Sequence, residues 1–458
     1  MKHRLGSSYG WLVAVLVCGA RAGAEPVELA ESPTDLRVFD VHSQINTNGK
    51  LIVAEGAGKT QELPIESQSV YRFRERRLPT AGRDALAYRA IREFSLAKMQ
   101  AKVDGEPMSI ELPAPSSLIV TSGQPDGLQS YSLRTLLTDD QVDLLTLLGD
   151  PLAVAAILPG LEMDVDSEWS ASAWAAQLLT SVEAVENAQL KGRVIAREGD
   201  LLQLKLDGNI RGLQEGARTT VVLTGELTYD AASLHIRSAR LNYKITAAIG
   251  AVAPGIDVDV SVAVDRQPTS DAGLITDALV TNIPLEAPPA ALRLVFDAAP
   301  WKARFRYGRD WHMFRAVLEM PPKVAILRLI DQGSLVCQCN ISPIPDAPAG
   351  QHTPLAEYQR DIQMVLGDSF RNFKSTDEVA LPDGGTRMTV IAVGEVQRTG
   401  KDKEGKSTAI AIPMEWRYSI ITEHSGRQMS FVFAVEQALL EQFADRDREL
   451  LMGLEYLR

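Results

Sequence analysis

Between about Lys191 and Arg266 the chain alternates apolar and polar residues in run after run. The clearest run is Ile256, Val258, Val260, Val262 and Val264, interleaved with Asp257, Asp259, Ser261 and Ala263. Side chains of a strand point to opposite faces in turn, so this pattern needs a strand with one dry face and one wet face. Leu202-Leu204-Leu206 and Val221 to Tyr229 repeat it, and Asp207-Gly208, Asp230-Ala231-Ala232 and Pro254-Gly255 read as turns between strands. Antiparallel pairing is the arrangement that keeps one face wet. Earlier in the chain, Leu36, Val38 and His42 sit near alternation, and Tyr71-Arg72-Phe73-Arg74 alternates aromatic rings with arginines. These long strands predict a broad curved meander, and such a sheet needs something to cover its dry side.

Residues 131–179 supply that cover. Thr138-Asp139-Asp140-Gln141 is a capping box ahead of Val142, Leu144, Leu145 and Leu148. Asp150 caps a second helix with Pro151 at its first position, and Leu152 to Leu158 is apolar nearly all round, as a buried helix is. A third helix is expected from Ser170 to about Leu179.

Lys2, His3 and Arg4 precede a short apolar core at Trp11–Val17, and Ala22 and Ala24 suit a cut after Ala24. Residues 1–24 are therefore expected to be a secretory signal and the protein to be secreted or periplasmic. Removing them takes away three basic side chains and no acid, which moves the net charge from −12 to −15. That excludes nucleic acid as a general partner. No other run is long and apolar enough for a span of ~20 residues, so an integral membrane protein is not expected. The charge is uneven: residues 25–291 hold 23 basic and 37 acidic side chains, and residues 292–458 hold 21 and 22. This asymmetry predicts two differently surfaced domains. The expected division is an acidic flexible leader at 25–35, a β-rich domain at 36–266, a Pro-rich linker at 267–291 and an α+β domain at 292–458.

The last domain opens with aromatics at Phe305–Trp311 and continues with strands at Val324–Ile330 and Leu335–Ile341. A helix with Leu355, Tyr358, Ile362 and Val365 on its apolar stripe follows, ended by Gly367. The chain closes with two strands around Ser425-Gly426, a helix marked by Leu439, Leu440 and Phe443, and an apolar end at Leu454–Leu457. This order, from Phe305–Trp311 through Trp416 to Tyr456, resembles the PsbP-like α–β–α sandwich over residues 292–458. The N-terminal half is similar in outline to LolA-type half-barrels. The fold class is accordingly expected to be α+β: a large curved antiparallel sheet with packed helices, then a PsbP-like sandwich. The first resemblance implies a role in binding or assembly without catalytic residues.

The chemistry-bearing residues are sparse. Arg72, Arg74 and Arg76 share one strand face and form the candidate anion-binding site. Cys337 and Cys339 share another face, and no CxxC or HxxxH partner gives them a zinc site, so they read as buried thiols. The histidines after residue 24 are dispersed, and no GxSxG elbow marks a nucleophile. Phosphate loops are missing, so no cofactor, metal or catalytic residue is assigned. The leading expectation is a non-catalytic binding or assembly protein of the cell envelope with an envelope or extracellular protein partner. The alternatives are a carrier of an apolar small molecule held between sheet and helices, and a hydrolase with a dispersed site.

Overall fold

The computed structural model describes residues 26–33, 35–56, 59–80, 84–214, 216–331, 334–401 and 407–457. The expected signal segment lies outside the described residues. The N-terminal half runs β1 (Val27–Glu28), β2 (Val38–Gly56), β3 (Lys59–Arg77), β4 (Arg89–Val103), β5 (Glu106–Glu111), β6 (Leu118–Gln124) and β7 (Gly127–Ser132). Then come α1 (Asp139–Leu145), α2 (Pro151–Ala156), β8 (Glu162–Met163), β9 (Glu168–Ser170) and α3 (Ala173–Thr180). Five long strands follow: β10 (Ala184–Glu198), β11 (Leu201–Gln214), β12 (Ala217–Asp230), β13 (His235–Ala247) and β14 (Gly255–Thr269). Twelve strands form one antiparallel sheet in the order β7-β6-β4-β3-β2-β14-β13-β12-β11-β10-β9, with β5 added beside β4.

The alternation does what it predicts. Val258, Val260, Val262 and Val264 are all buried, while Asp259 and Ser261 face water. The Asp207-Gly208 turn does not form. Both residues lie inside β11, where Gly208 opposes Leu190 and Leu223 and leaves room for the Leu190 side chain.

The sheet must curl. From β7 to β10 there are nine inter-strand spacings, about 43 Å if flat at ~4.8 Å each. Yet α3, only eight residues long, packs against both β7 and β10. The helices fill the inside of that curl. Every residue of α2 is buried, and so are the last six of α3. Thr138 and Gln141 close the capping box in both directions, and Asp150 accepts from the Leu152 amide at 2.8 Å. Trp169 lies flat against Gly192, where any Cβ would collide with its ring, and its indole N–H donates to the Ile157 carbonyl at 2.9 Å.

Short helices α4 (Asp277–Thr281) and α5 (Pro289–Leu292) lead to the C-terminal half. It contains β15 (Leu294–Ala298), β16 (Ala303–Tyr307), β17 (Trp311–Val317), β18 (Val324–Asp331), β19 (Ser334–Ile344) and α6 (Leu355–Leu366). It ends with β20 (Phe370–Ala380), β21 (Thr386–Lys401), β22 (Ser407–Thr422), β23 (Gln428–Glu436), α7 (Leu440–Phe443), α8 (Arg446–Met452) and β24 (Leu454–Tyr456). Seven strands form a sheet in the order β17-β18-β19-β23-β22-β21-β20, and β15-β16-β24 form a small one. Tyr358 and Ile362 of α6 pack on Val390 and Tyr418 on one side of the large sheet. Its other side, with Leu327, Cys339, Phe431 and Phe433, meets Phe305, Phe443 and Leu450.

Three expectations are corrected. The α+β class with an α–β–α sandwich is not what forms: the chain is mostly β, in several antiparallel sheets. One side of the seven-stranded sheet has a single long helix, and the other is covered by the three-stranded sheet and two helices of seven residues or fewer. The acidic leader is not loose. Val27–Glu28 pairs with Glu162–Met163, and Leu29 is fully buried, because its few apolar residues find a dry slot. The Pro-rich 267–291 segment begins inside β14 and then packs Ile275 and Val280 against Leu78, Ile91 and Val120, so it is held to the sheet rather than free.

Candidate functional site: an outer cleft over a buried charge network

Strands β14, β2, β3 and β4 carry two charged layers, one on each face. On the outer face, a cleft of about 650 Å³ opens over His42, Arg72, Ser95, Asp265 and Gln267. The strands deliver these side chains by register: Arg72 opposes His42, and His42 opposes Asp265. Ser95 is the extra residue of a bulge in β4 opposite Arg72, and its hydroxyl donates to the Arg72 carbonyl at 3.2 Å.

Arg72, Arg74 and Arg76 do share this face, as their spacing predicts. They do not share a function. Arg74 is surrounded by Glu93 at 3.4 Å, Asp40 at 3.8 Å and Asp271. Arg76 pairs with Asp277 at 2.6 Å and lies largely covered by the 275–277 segment. Four carboxylates thus neutralise two guanidinium groups. Arg72 is exposed and has no ionic partner among the described residues. Of the three, only Arg72 is open to an anion, with the exposed His42 ring beside it.

The inner face of the same strands holds a dry network of three arginines and three carboxylates. Arg92 donates through both Nη atoms to Asp150 at 2.6 Å and through Nε to Glu75 at 2.9 Å. Arg266 donates to Glu31 at 2.6 Å, and Arg77 reaches the other Glu31 oxygen at 3.1 Å. Arg266 also lies 3.6 Å from Glu75, joining the two clusters. Burial alone would raise the pKa of Glu31, but Arg266 and Arg77 outweigh it and hold the carboxyl below its ordinary value. Burial opposes ionisation of Glu75 in the same way, and Arg92, Arg77 and Arg266 reverse it. The guanidinium groups of Arg92 and Arg266 also lie over Phe73 and Phe39, at 5.1 and 4.7 Å.

Sequence reasoning assigned Asp150 to capping and missed the rest. Glu31 and Arg266 are 235 residues apart, so no local spacing could announce them. The available signal was Arg at inward positions of alternating strands, which calls for buried partners.

The remaining chemistry-bearing residues are separate. Cys337 and Cys339 are buried free thiols on one face, and burial raises both pKa values. His235 Nδ1 lies 2.8 Å from the Ser233 hydroxyl, a local pair across one turn. Burial and the nearby Arg266 lower its pKa, and its Nε2 has no acidic partner among the described residues. That arrangement lacks the acid that would orient the imidazole of a nucleophilic triad. His352 pairs with Glu378 at 3.2 Å in the C-terminal half. Among the described residues, no group of three His, Cys, Asp or Glu side chains is placed to hold a metal.

No known protein family matches the chain, and no curated protein does. Among solved structures, the chain is similar in part to cyanobacterial PsbP from Synechocystis sp. PCC 6803, at 12% identity and a TM-score of 0.26, over 38% of this chain and 97% of that one. DynF from the dynemicin biosynthesis pathway of Micromonospora chersina matches at 9% identity and a TM-score of 0.16, over 55% and 88%. OccK5 of Pseudomonas aeruginosa matches at 9% identity and a TM-score of 0.12, over 88% and 96%. Likenesses at these scores carry no argument about activity, so the residues of the cleft and the network must carry it.

Proposed function

We propose that the protein is an exported, non-catalytic binding protein of the cell envelope, and that the outer cleft is where it engages a protein partner. The observation that supports this most directly is the state of Arg72. On a face where neighbouring guanidinium groups are paired within the chain, it has no ionic partner among the described residues, in a cleft of about 650 Å³ that His42 and the carboxylates of Asp40, Glu93 and Asp265 also line. Such a position suits a carboxylate on a polypeptide, since a guanidinium recognises it through two parallel hydrogen bonds. The inner side of the sheet favours binding outside over carriage inside: α2 and α3 and the charge network already occupy it.

The test compares wild-type protein with Arg72→Glu in affinity capture from native envelope extract. A partner held by the wild type should be lost at least tenfold on charge reversal and should elute with rising salt, because the pair is exposed. Equal recovery by both proteins would remove the cleft from the proposal.

A further inference from the structure

The buried network contains a carboxylate that belongs to no strand of the large sheet. Glu31 sits on the leader, three residues after β1. One of its oxygens accepts from Arg266 Nη1 and from the Ile236 amide, both at 2.6 Å, and the other accepts from Arg77 Nη2 at 3.1 Å. Its receptors are themselves almost fully buried: the Arg266 and Arg77 side chains are 2% and 3% exposed. Two guanidinium groups and a backbone N–H aimed at one point are a complete binding site for a carboxylate.

We infer that Arg77, Arg266 and the Ile236 amide form a carboxylate-binding site that residues 26–33 fill from within the chain, and that this segment is a strap whose release opens the site to an acidic polypeptide segment. The rest of the leader is attached as a strap would be. The Tyr229 hydroxyl lies 2.8 Å from the Ala30 carbonyl and 3.1 Å from that of Glu28. The Leu29 amide donates to Leu161, and Gly160 donates back to the Leu29 carbonyl. Apart from β1 and its two-residue partner β8, the segment joins no sheet among the described residues. Its hold rests on Leu29, Glu31 and a few backbone bonds.

Charge decides what the opened site takes. Arg77, Arg92 and Arg266 are matched by Glu31, Glu75 and Asp150. Without Glu31 the network keeps one uncompensated positive charge in a dry setting, which demands a single anion in return. Spare donors are also present: Arg77 Nη1 and Arg266 Nε are buried without a hydrogen-bond partner among the described residues. The leader shows the required chemistry of an occupant, an extended segment with an apolar side chain two residues before a carboxylate.

The experiment uses the full chain with Glu31→Ala. Formate should raise its thermal midpoint saturably, chloride at equal ionic strength should not, and the wild type should respond to neither. Should Glu31→Ala fail to fold in chloride, recovery on refolding becomes the readout. An equal response to formate and chloride rejects the site. For the strap, the Leu29→Ala/Glu31→Ala double variant is titrated with a synthetic peptide of residues 26–33. Saturable binding is expected, at least tenfold weaker when the peptide carries Gln in place of Glu31. No binding, or equal binding of both peptides, overturns the strap.

Discussion

Arg92 is held more tightly than any surface arginine in the molecule needs to be. Its three donor atoms are all engaged by Glu75 and Asp150, at 1% exposure for each side chain. Desolvating such a group is costly, so the network adds less to net stability than its hydrogen bonds suggest. Breaking it is a different matter. Arg92→Met should cost about 3–5 kcal/mol, because Glu75 loses its closest cation and Asp150 keeps only the Leu152 amide among the described residues. Chemical denaturation of the two proteins measures this, and a loss below about 1 kcal/mol would show that water enters the network. Single residues were readable where their reasons were local. The burial of Cys337 and Cys339 follows from strand alternation, whereas the pairing of Arg74 with Asp271 depends on a loop nearly 200 residues away.

Elements were legible in proportion to their end signals. The capping box at Thr138 announced α1, and its reciprocal bonds are present at 3.3 and 3.2 Å. Thr138→Ala should therefore cost about 1 kcal/mol, read as a shift in the denaturation midpoint with an unchanged slope. The stripe on α6 holds at three of its four positions. Tyr358, Ile362 and Leu366 pack against the sheet at i, i+4 and i+8, while Val365 is 77% exposed. The stripe drifts off the buried row only at its last position, since Leu355 packs on the same cluster as Tyr358 and Ile362. The strand β20 leaves little mark in the sequence, because its exposed edge carries few apolar residues and so shows no alternation.

The charge asymmetry between residues 25–291 and 292–458 separates two surfaces, but the interior is not separated. A single apolar cluster runs from Leu144 and Val262 through Leu294 and Phe305 to Phe431 and Phe433. Polar links cross the same boundary. The Val295 amide donates to Leu137 at 2.9 Å, Arg309 donates to the Ser130 carbonyl at 2.5 Å, and the Tyr307 hydroxyl donates to Asp139. Burial pulls the Arg309 pKa down to about 10, a sign of how dry this junction is. Calorimetry should accordingly show one unfolding transition for the two halves, and two resolved transitions would contradict the shared core. The pairing of β2 with β14 has a consequence in time. It joins Val38 to Thr269 in the middle of the sheet, so one half of the sheet waits with an open edge until the chain has been delivered through residue 269. Closing so long a loop slows folding and leaves an unpaired strand exposed meanwhile. Until that central seam is zipped, its two open edges are templates for wrong pairing, so a partly folded chain is most exposed to misassembly in the middle of its sheet rather than at its rims.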